Sequence, residues 1–469
     1  MDFQALLAVS SELTPARSQM AFTLGFHIIL ASLGVAFPAL MLIANYRGLR
    51  RQDPVALELA RRWSKVAAVT FAVGAVTGTV LSFEFGLLWP EFTGRFGEVF
   101  GVAFAIEGIF FFTEAIFIAI YIFGWDRLSG WAHFWTGIPV VISGLGGAFS
   151  VVAVNSWMNQ PDGFTLGANG QVTDVAPLDA IFNRATAYEV PHMILAAYLV
   201  TGFLVASVYA VGMLRGRRDR HHRLGLLIPL TVAAIATPIQ FAVGDTAARA
   251  IADDQPIKFA AMECVQHTHR DVTEYLGGRC TSEGVKGGIG IPGLDSFLVG
   301  WSTDTKVTGL DSVAPADRPP ANTLLHLAFD AMVGICTLLI GLGLWLGWAW
   351  WRRRDIPATS WFLRAVAVSG ALAVVALECG WIVTEVGRQP WVVYEVMRTK
   401  DAVTGASGIW ITFSLVLALY AALGVATVLI LRTMARRWRT AEIGAAEVPY
   451  GPSEPPPRPQ PAPPGGGTG

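Results

Sequence analysis

A small set of ionisable and sulfur-bearing side chains interrupts long apolar runs. His27 sits in MAFTLGFHIILASLG, Glu107 and Glu114 in FAIEGIFFFTEA, and His192 in EVPHMILAAY. His326, Asp330 and Met332 share LLHLAFDAMVG, and Glu378 and Glu385 share ALECGWIVTEVGRQPW. A charged or ligating group in the middle of a membrane helix costs a few kcal/mol, so each is a functional candidate by default. His and Met are axial ligands of haem iron, and a His/Met pair suits an electron-transferring low-spin haem. His192 and Met332 can form such a pair. On spacing alone His326 is an equal partner for His192. Taken one at a time, a His on an apolar helix is more often a hydrogen-bonded packing residue, and a Met a gap-filler. A seven-residue spacing puts Glu107 and Glu114 on one helix face, and Glu378 and Glu385 likewise. Such pairs can relay protons or ligate iron; the plainer use is hydrogen bonding between helices by protonated acids. Arg388 can pair with Glu385 or with haem propionates.

These residues need a scaffold, and the composition says which. Of the 469 residues, 53% are hydrophobic and only 15% charged, where a soluble chain carries about 25% charged. The net charge of −1 marks out no partner, and no nucleic acid is expected. Nine apolar spans are legible, at about 17–45, 64–90, 99–124, 131–157, 188–214, 223–244, 321–350, 360–386 and 407–431. Each can cross a bilayer core, which takes about 20 helical residues. The first is too long for the apolar core of a signal peptide and lacks a small-residue cleavage site after it, so it is expected to stay in the membrane. Arg clusters such as RGRRDRHHR and WRRRD follow the odd-numbered spans. The positive-inside rule then puts the N-terminus outside and the C-terminus in the cytoplasm. The expected fold is an all-α integral membrane protein of about nine transmembrane helices, spanning residues 1–440. Residues 441–469, rich in Pro and Gly, are expected to be disordered.

Topology sorts the candidates. His27, Glu107, His192 and Met332 come early in odd spans and Glu385 late in an even one, so at 1.5 Å per residue all five fall in the outer half of the membrane. One buried site explains that better than scattered packing residues. The polar, Gly-rich segment 245–320 lies on the same side, and a loop of that length is usually functional or disordered. It contains Cys264 and Cys280, which an oxidising compartment would allow to pair. Cys336 and Cys379 lie in spans and read as packing residues.

Six segments then carry a resemblance: AIEG at 105–108, FGWDRL at 123–128, VNSWMNQP at 154–161, GDTAARAIADDQPIKFAAME at 244–263, AMVG at 331–334 and GWIVTEVGRQPW at 380–391. In this order and in these spans, they make the chain resemble subunit I of the cytochrome bd family of quinol oxidases. The resemblance implies that His192 and Met332, rather than His326, hold a low-spin haem b. It implies that His27 and Glu385 serve a high-spin pair, a haem b and a haem d, with Glu107 and Trp381 beside it. Glu114 falls on a proton path. Lys258 and Glu263, in the outer loop, match the family's quinol residues; without the resemblance they would be ordinary surface charges. The family oxidises quinol at the outer face and reduces O₂ to water, building a proton motive force without a pump. It works in the bacterial plasma membrane, paired with a second large membrane subunit; a small single-span subunit is a further candidate partner.

Three features depart from the pattern. The two Glu of the third span are seven rather than eight residues apart. Asp330 stands where some members carry Arg. The loop after Glu263 is short, as in the cyanide-insensitive-like branch, where a third haem b can replace haem d. Two other classes remain on the residues alone. A proton-coupled secondary transporter predicts inverted repeats and broken helices, and neither is evident. A haem protein that only transfers electrons leaves His27, Glu107 and Glu385 idle.

Overall fold

A computed structural model of the chain describes residues 3–320, 322–357 and 359–440; the expected disordered segment 441–469 lies outside them. Thirteen α-helices are present among these residues: α1 (Phe3–Arg51), α2 (Pro54–Leu88), α3 (Pro90–Gly124), α4 (Gly130–Asn159), α5 (Pro177–Ile181), α6 (Thr186–Leu214), α7 (Arg220–Asp254), α8 (Pro256–Met262), α9 (Leu294–Gly300), α10 (Asn322–Arg353), α11 (Ser360–Gly387), α12 (Thr399–Ala402) and α13 (Ile409–Thr440). Nine of these are long and apolar enough to cross a membrane, and they coincide with the nine expected spans. Starts follow local chemistry. Asp53, Asp219 and Thr359 cap α2, α7 and α11 by accepting backbone N–H groups of Ala56, His222 and Phe362, which satisfies donors that have no partner inside the helix.

The turns after the first, third, fifth and seventh long helices meet at one end. Arg220 reaches Asp53 at 2.7 Å, Arg61 reaches Asp126 at 3.0 Å, and Arg223 pairs with Asp355. The Arg-rich turns therefore share one side, as the alternation required. Large apolar side chains such as Phe83, Leu87, Phe112, Phe123, Leu344 and Leu415 are exposed on the outside of the bundle. That is the surface a lipid or a membrane partner would cover.

The segment after α7 is more ordered than its sequence suggested. Short α8 and α9 bracket two nested hairpins, in which β3 (Glu274–Leu276) pairs with β6 (Ile289–Ile291) and β4 (Arg279–Thr281) with β5 (Gly284–Lys286). Cys264 and Cys280 form a disulfide, with Cα atoms 5.7 Å apart. The segment has its own apolar core, in which Phe259, Met262, Val265, Val272 and Val307 pack on Leu325 and Ala328 of α10 and Val383 of α11. It is also docked by polar bonds. Gly277 N–H donates to Asp330 Oδ2 at 2.6 Å, His326 Nδ1 lies 2.8 Å from the Met262 carbonyl, and His326 Nε2 lies 3.3 Å from the Gly277 carbonyl.

Candidate functional site

On α1, His27 is fixed through its Nδ1, 2.9 Å from Thr77 Oγ1 of α2. Thr77 Oγ1 also reaches the Val73 and Gly74 carbonyls of its own helix. With Nδ1 engaged by Thr77, Nε2 is the ring nitrogen left for a ligand. Orientation of one ring nitrogen by a hydrogen bond is how metal-ligating histidines are set. Gly78 makes the space: a Cβ there would stand 3.0 Å from His27 Cε1.

His192 on α6 faces α7. Its Nε2 lies 3.1 Å from the Gln240 side-chain amide, and its Nδ1, beside Gly244, is buried with no hydrogen-bond partner. Met332 on α10 packs on Gly380 of α11, where a Cβ would stand 2.9 Å from Met332 Sδ. The structure thus places His192 and Met332 in one group of four helices, in which α6 and α10 each pack on both α7 and α11. His326, the alternative by spacing, is fully buried with both ring nitrogens turned to loop carbonyls. Its ring serves the loop's attachment.

Helix α11 threads these positions together. Glu378 Oε2 lies 3.1 Å from where a Cβ on Gly25 of α1 would stand, two residues before His27. Trp381 Nε1 is buried without a partner. Glu385 accepts from Asn155 Nδ2 at 2.8 Å through one oxygen and from Arg388 at 2.6 Å through the other. Arg388 is 2% exposed, yet its Nε and Nη1 meet no acceptor. Leaving buried donors unmade costs about 1–3 kcal/mol each, more for charged groups. A guanidinium in that state is suited to a carboxylate-bearing ligand.

The loop after α7 joins this site through Lys258, on α8. The side chain is 2% exposed, with its stem laid on Gly387 and its Nζ 3.5 Å from Asn159 Oδ1. Asn159 donates to Glu189 Oε1 at 3.0 Å and to Asn155 Oδ1 at 3.3 Å, while Ser156 holds the other Glu189 oxygen at 2.9 Å. The result is a continuous polar path, Lys258–Asn159–Asn155–Glu385–Arg388. Burial lowers the Lys258 ammonium to about 8, against the opposing pull of Glu189 and Glu385. A cavity of about 290 Å³ lies beside it, lined by Lys258, Asp317, Arg388, Trp391, Tyr394 and Glu395 among others.

Glu263 does not share that path. It is 6% exposed and turns toward Glu274 and Asp295. Burial and mutual repulsion raise all three acids, Glu274 to about 7, Asp295 to about 8 and Glu263 well above its usual range. Glu107 and Glu114, half-buried and buried on α3, are not hydrogen-bonded to the other candidates. Sequence reasoning passed over Glu189, Asn155 and Asn159. Glu189 lies at a span end, where an acid reads as interfacial. It also passed over Glu84, buried on α2 and bonded by Gln19 at 2.8 Å and Thr23 at 2.5 Å, although the rule about acids in apolar spans applies to it.

A family model described as cytochrome bd terminal oxidase subunit I matches residues 15–438. The chain belongs to this family. It is 35% identical over 428 residues, 90% of this chain and 96% of the relative, to a Bacillus subtilis (strain 168) protein described as a candidate cytochrome bd menaquinol oxidase subunit I. It is 30% identical over 411 residues, 84% and 86% of the two chains, to the cytochrome bd ubiquinol oxidase subunit 1 of the same strain. It also resembles the solved bd oxidase of Geobacillus thermodenitrificans, with a TM-score of 0.84 and 34% identity over 91% of this chain and 98% of the other. A cytochrome bd subunit I is a multi-pass membrane protein of a haem-bearing oxidase with a second subunit. The side chains here fit haem: a histidine oriented to leave Nε2 free, a second with an orphaned buried nitrogen, a methionine sulfur given room by glycine, and a buried arginine short of acceptors.

Proposed function

We propose that this chain is the quinol-oxidising and oxygen-reducing subunit of a cytochrome bd-type complex in a bacterial plasma membrane. Its N-terminus and the 245–320 loop face outward and its C-terminus faces the cytoplasm, with residues 1–440 as the membrane domain. His192 and Met332 would hold a low-spin haem b. His27 and Glu385 would hold a high-spin pair, haem b with haem d or a third haem b, with Glu107 and Trp381 alongside and Arg388 on the propionates. Haem, when bound, supplies the one-electron relay and the open iron position at which O₂ is reduced.

The observation that carries this reading is the buried path from Lys258 to Glu385 and Arg388. It joins the quinol residue of the outer loop to the residues assigned to haem. Lys258 donates to a quinol oxygen in the adjoining cavity, and Asn159 holds the ammonium in place. Glu189 and Glu385 are the acceptors at hand for protons released there, and these leave on the outside. Glu263, at the C-terminal end of α8, acts by position rather than contact. Glu114 takes protons from the cytoplasmic side, and no pump is needed: a charge carried across is worth ~2.3 kcal/mol per 100 mV. The partners are a second large membrane subunit and, as a further candidate, a small single-span subunit.

The test is the purified complex with His192→Ala. The low-spin haem bands should vanish from the reduced-minus-oxidised spectrum, and quinol-driven oxygen uptake with them. An unchanged low-spin spectrum would remove the ligand assignment, and a colourless wild-type complex would remove the whole reading.

A further inference from the structure

Three carboxylates from three elements converge inside the outer loop. Glu263 follows α8, Glu274 lies on β3, and Asp295 is in the first turn of α9. One oxygen from each lies within 4.8 Å of the others. Clustered acids alone carry little. The decisive observation is Asp295, which is 1% exposed while neither of its carboxylate oxygens has a hydrogen-bond partner. Glu263 Oε2 and Glu274 Oε2 are also buried and unpaired, although these two glutamates share a side-chain hydrogen bond with each other, which leaves Asp295 as the acid with no partner at either oxygen. Buried acids are normally hydrogen-bonded or paired. Two arginines near this layer in sequence are engaged elsewhere: Arg270 bonds the Asp304 carbonyl, and Arg249 bonds Asp245 and the Val299 carbonyl. Asp330 adds a fourth acid nearby, with Oδ2 committed to Gly277 N–H and 3.6 Å from His326 Nε2.

We propose that Glu263, Glu274 and Asp295 form a binding site for a divalent, oxygen-seeking cation of the size of Ca²⁺. Ca²⁺ takes several protein carboxylates at once in an adaptable shell, whereas Mg²⁺ is usually held by one or two carboxylates and keeps several waters, so three converging carboxylates suit the larger ion. An all-oxygen set is also not what zinc or copper sites use, and Cys264, the sulfur next to Glu263, is closed in its disulfide. The ion would tie the end of α8 to β3 and α9. Lys258 lies in the first turn of the same short helix, so the site braces the helix that faces the quinol cavity. The inference stands on the loop alone and does not require any haem assignment.

The experiment uses the complete oxidase, stripped with a chelator and returned to Ca²⁺ or Mg²⁺. Bound metal is measured by mass spectrometry and loop order by limited proteolysis. The expected result is about one Ca²⁺ per chain at or below the ~1 mM range of extracellular sites, with slower cleavage between residues 263 and 312 than in the stripped protein. Asp295→Asn should weaken Ca²⁺ binding at least ~10-fold, as loss of support at a metal site does, and abolish the Ca²⁺-dependent protection. Two outcomes overturn the proposal: wild-type protein that takes up no Ca²⁺ and gains no protection, or Asp295→Asn protein that binds it as tightly as wild type. If the variant does not assemble, the wild-type comparison decides by itself.

Discussion

Replacing Lys258 by Met isolates what the buried ammonium does. Methionine keeps a flexible apolar stem over Gly387 and removes only the charged end. In the folded protein Nζ has one hydrogen-bond acceptor, Asn159 Oδ1 at 3.5 Å, which is at the outer limit for such a bond. Two of its three protons are therefore free for a substrate oxygen. A hydrogen bond involving a charged group contributes about 1.5–3 kcal/mol. At 1.36 kcal/mol per factor of ten, its loss lowers kcat/KM for quinol about 10- to 160-fold. Because the ammonium also offsets buried Glu189 and Glu385, its removal can destabilise the fold, so the melting temperature of the variant is measured beside the kinetics to separate a catalytic loss from unfolding. The assay is oxygen uptake by the complete oxidase against quinol concentration, beside uptake driven by a reductant that delivers electrons without quinol. Only the first should fall. Equal kcat/KM in both proteins, or equal losses with both donors, would refute the reasoning.

Other outcomes follow from the same geometry. Lys258 is cationic below about pH 8 and neutral above it, so KM for quinol should rise as pH passes about 8 and stay flat below; a profile identical in Lys258→Met protein would assign the transition to another group. Gly380→Ala places a methyl 2.9 Å from Met332 Sδ and should weaken or shift the low-spin haem bands with little effect on the high-spin ones, which difference spectra can read. Thr77→Val removes the hydroxyl that orients His27 and should reduce retention of a high-spin haem about 10- to 100-fold, measured as haem per chain after dilution. Opening the 16-residue Cys264–Cys280 loop with the double serine variant should destabilise the outer segment by about 3 kcal/mol, seen as faster proteolysis there. Unchanged cleavage would mean that docking on α10 is sufficient.

What could be read from the sequence was what stood out from its surroundings. His27, His192, Met332 and Glu385 are exceptions in apolar helices, so each is visible without a structure, and helix direction gave them a common layer. Spacing could not separate Met332 from His326, because both lie on one helix within two turns. The family resemblance favours Met332, and the engagement of the His326 ring by the loop's carbonyls is a long-range fact that spacing could not show. Lys258 and Glu263 read as surface charges because the loop has no apolar period. They are buried because α8 tucks against α4, α10 and α11. The convergence of Glu274 and Asp295 on Glu263 depends on nested hairpins, which leave no trace in local spacing.

The attachment of the outer loop has a kinetic side. The loop is pinned near its middle to α10 by the hydrogen bond from Gly277 N–H to Asp330 and by the His326 ring, which is set between the Met262 and Gly277 carbonyls and donates to one of them. Lifting it as a single lid would break these hydrogen bonds, at roughly 1 kcal/mol each, besides exposing its apolar core. An open state would then hold less than about 1% of the population. Turnover that waited on such an opening would be gated by it, and a substrate entering the cavity beside Lys258 sideways would avoid that gate.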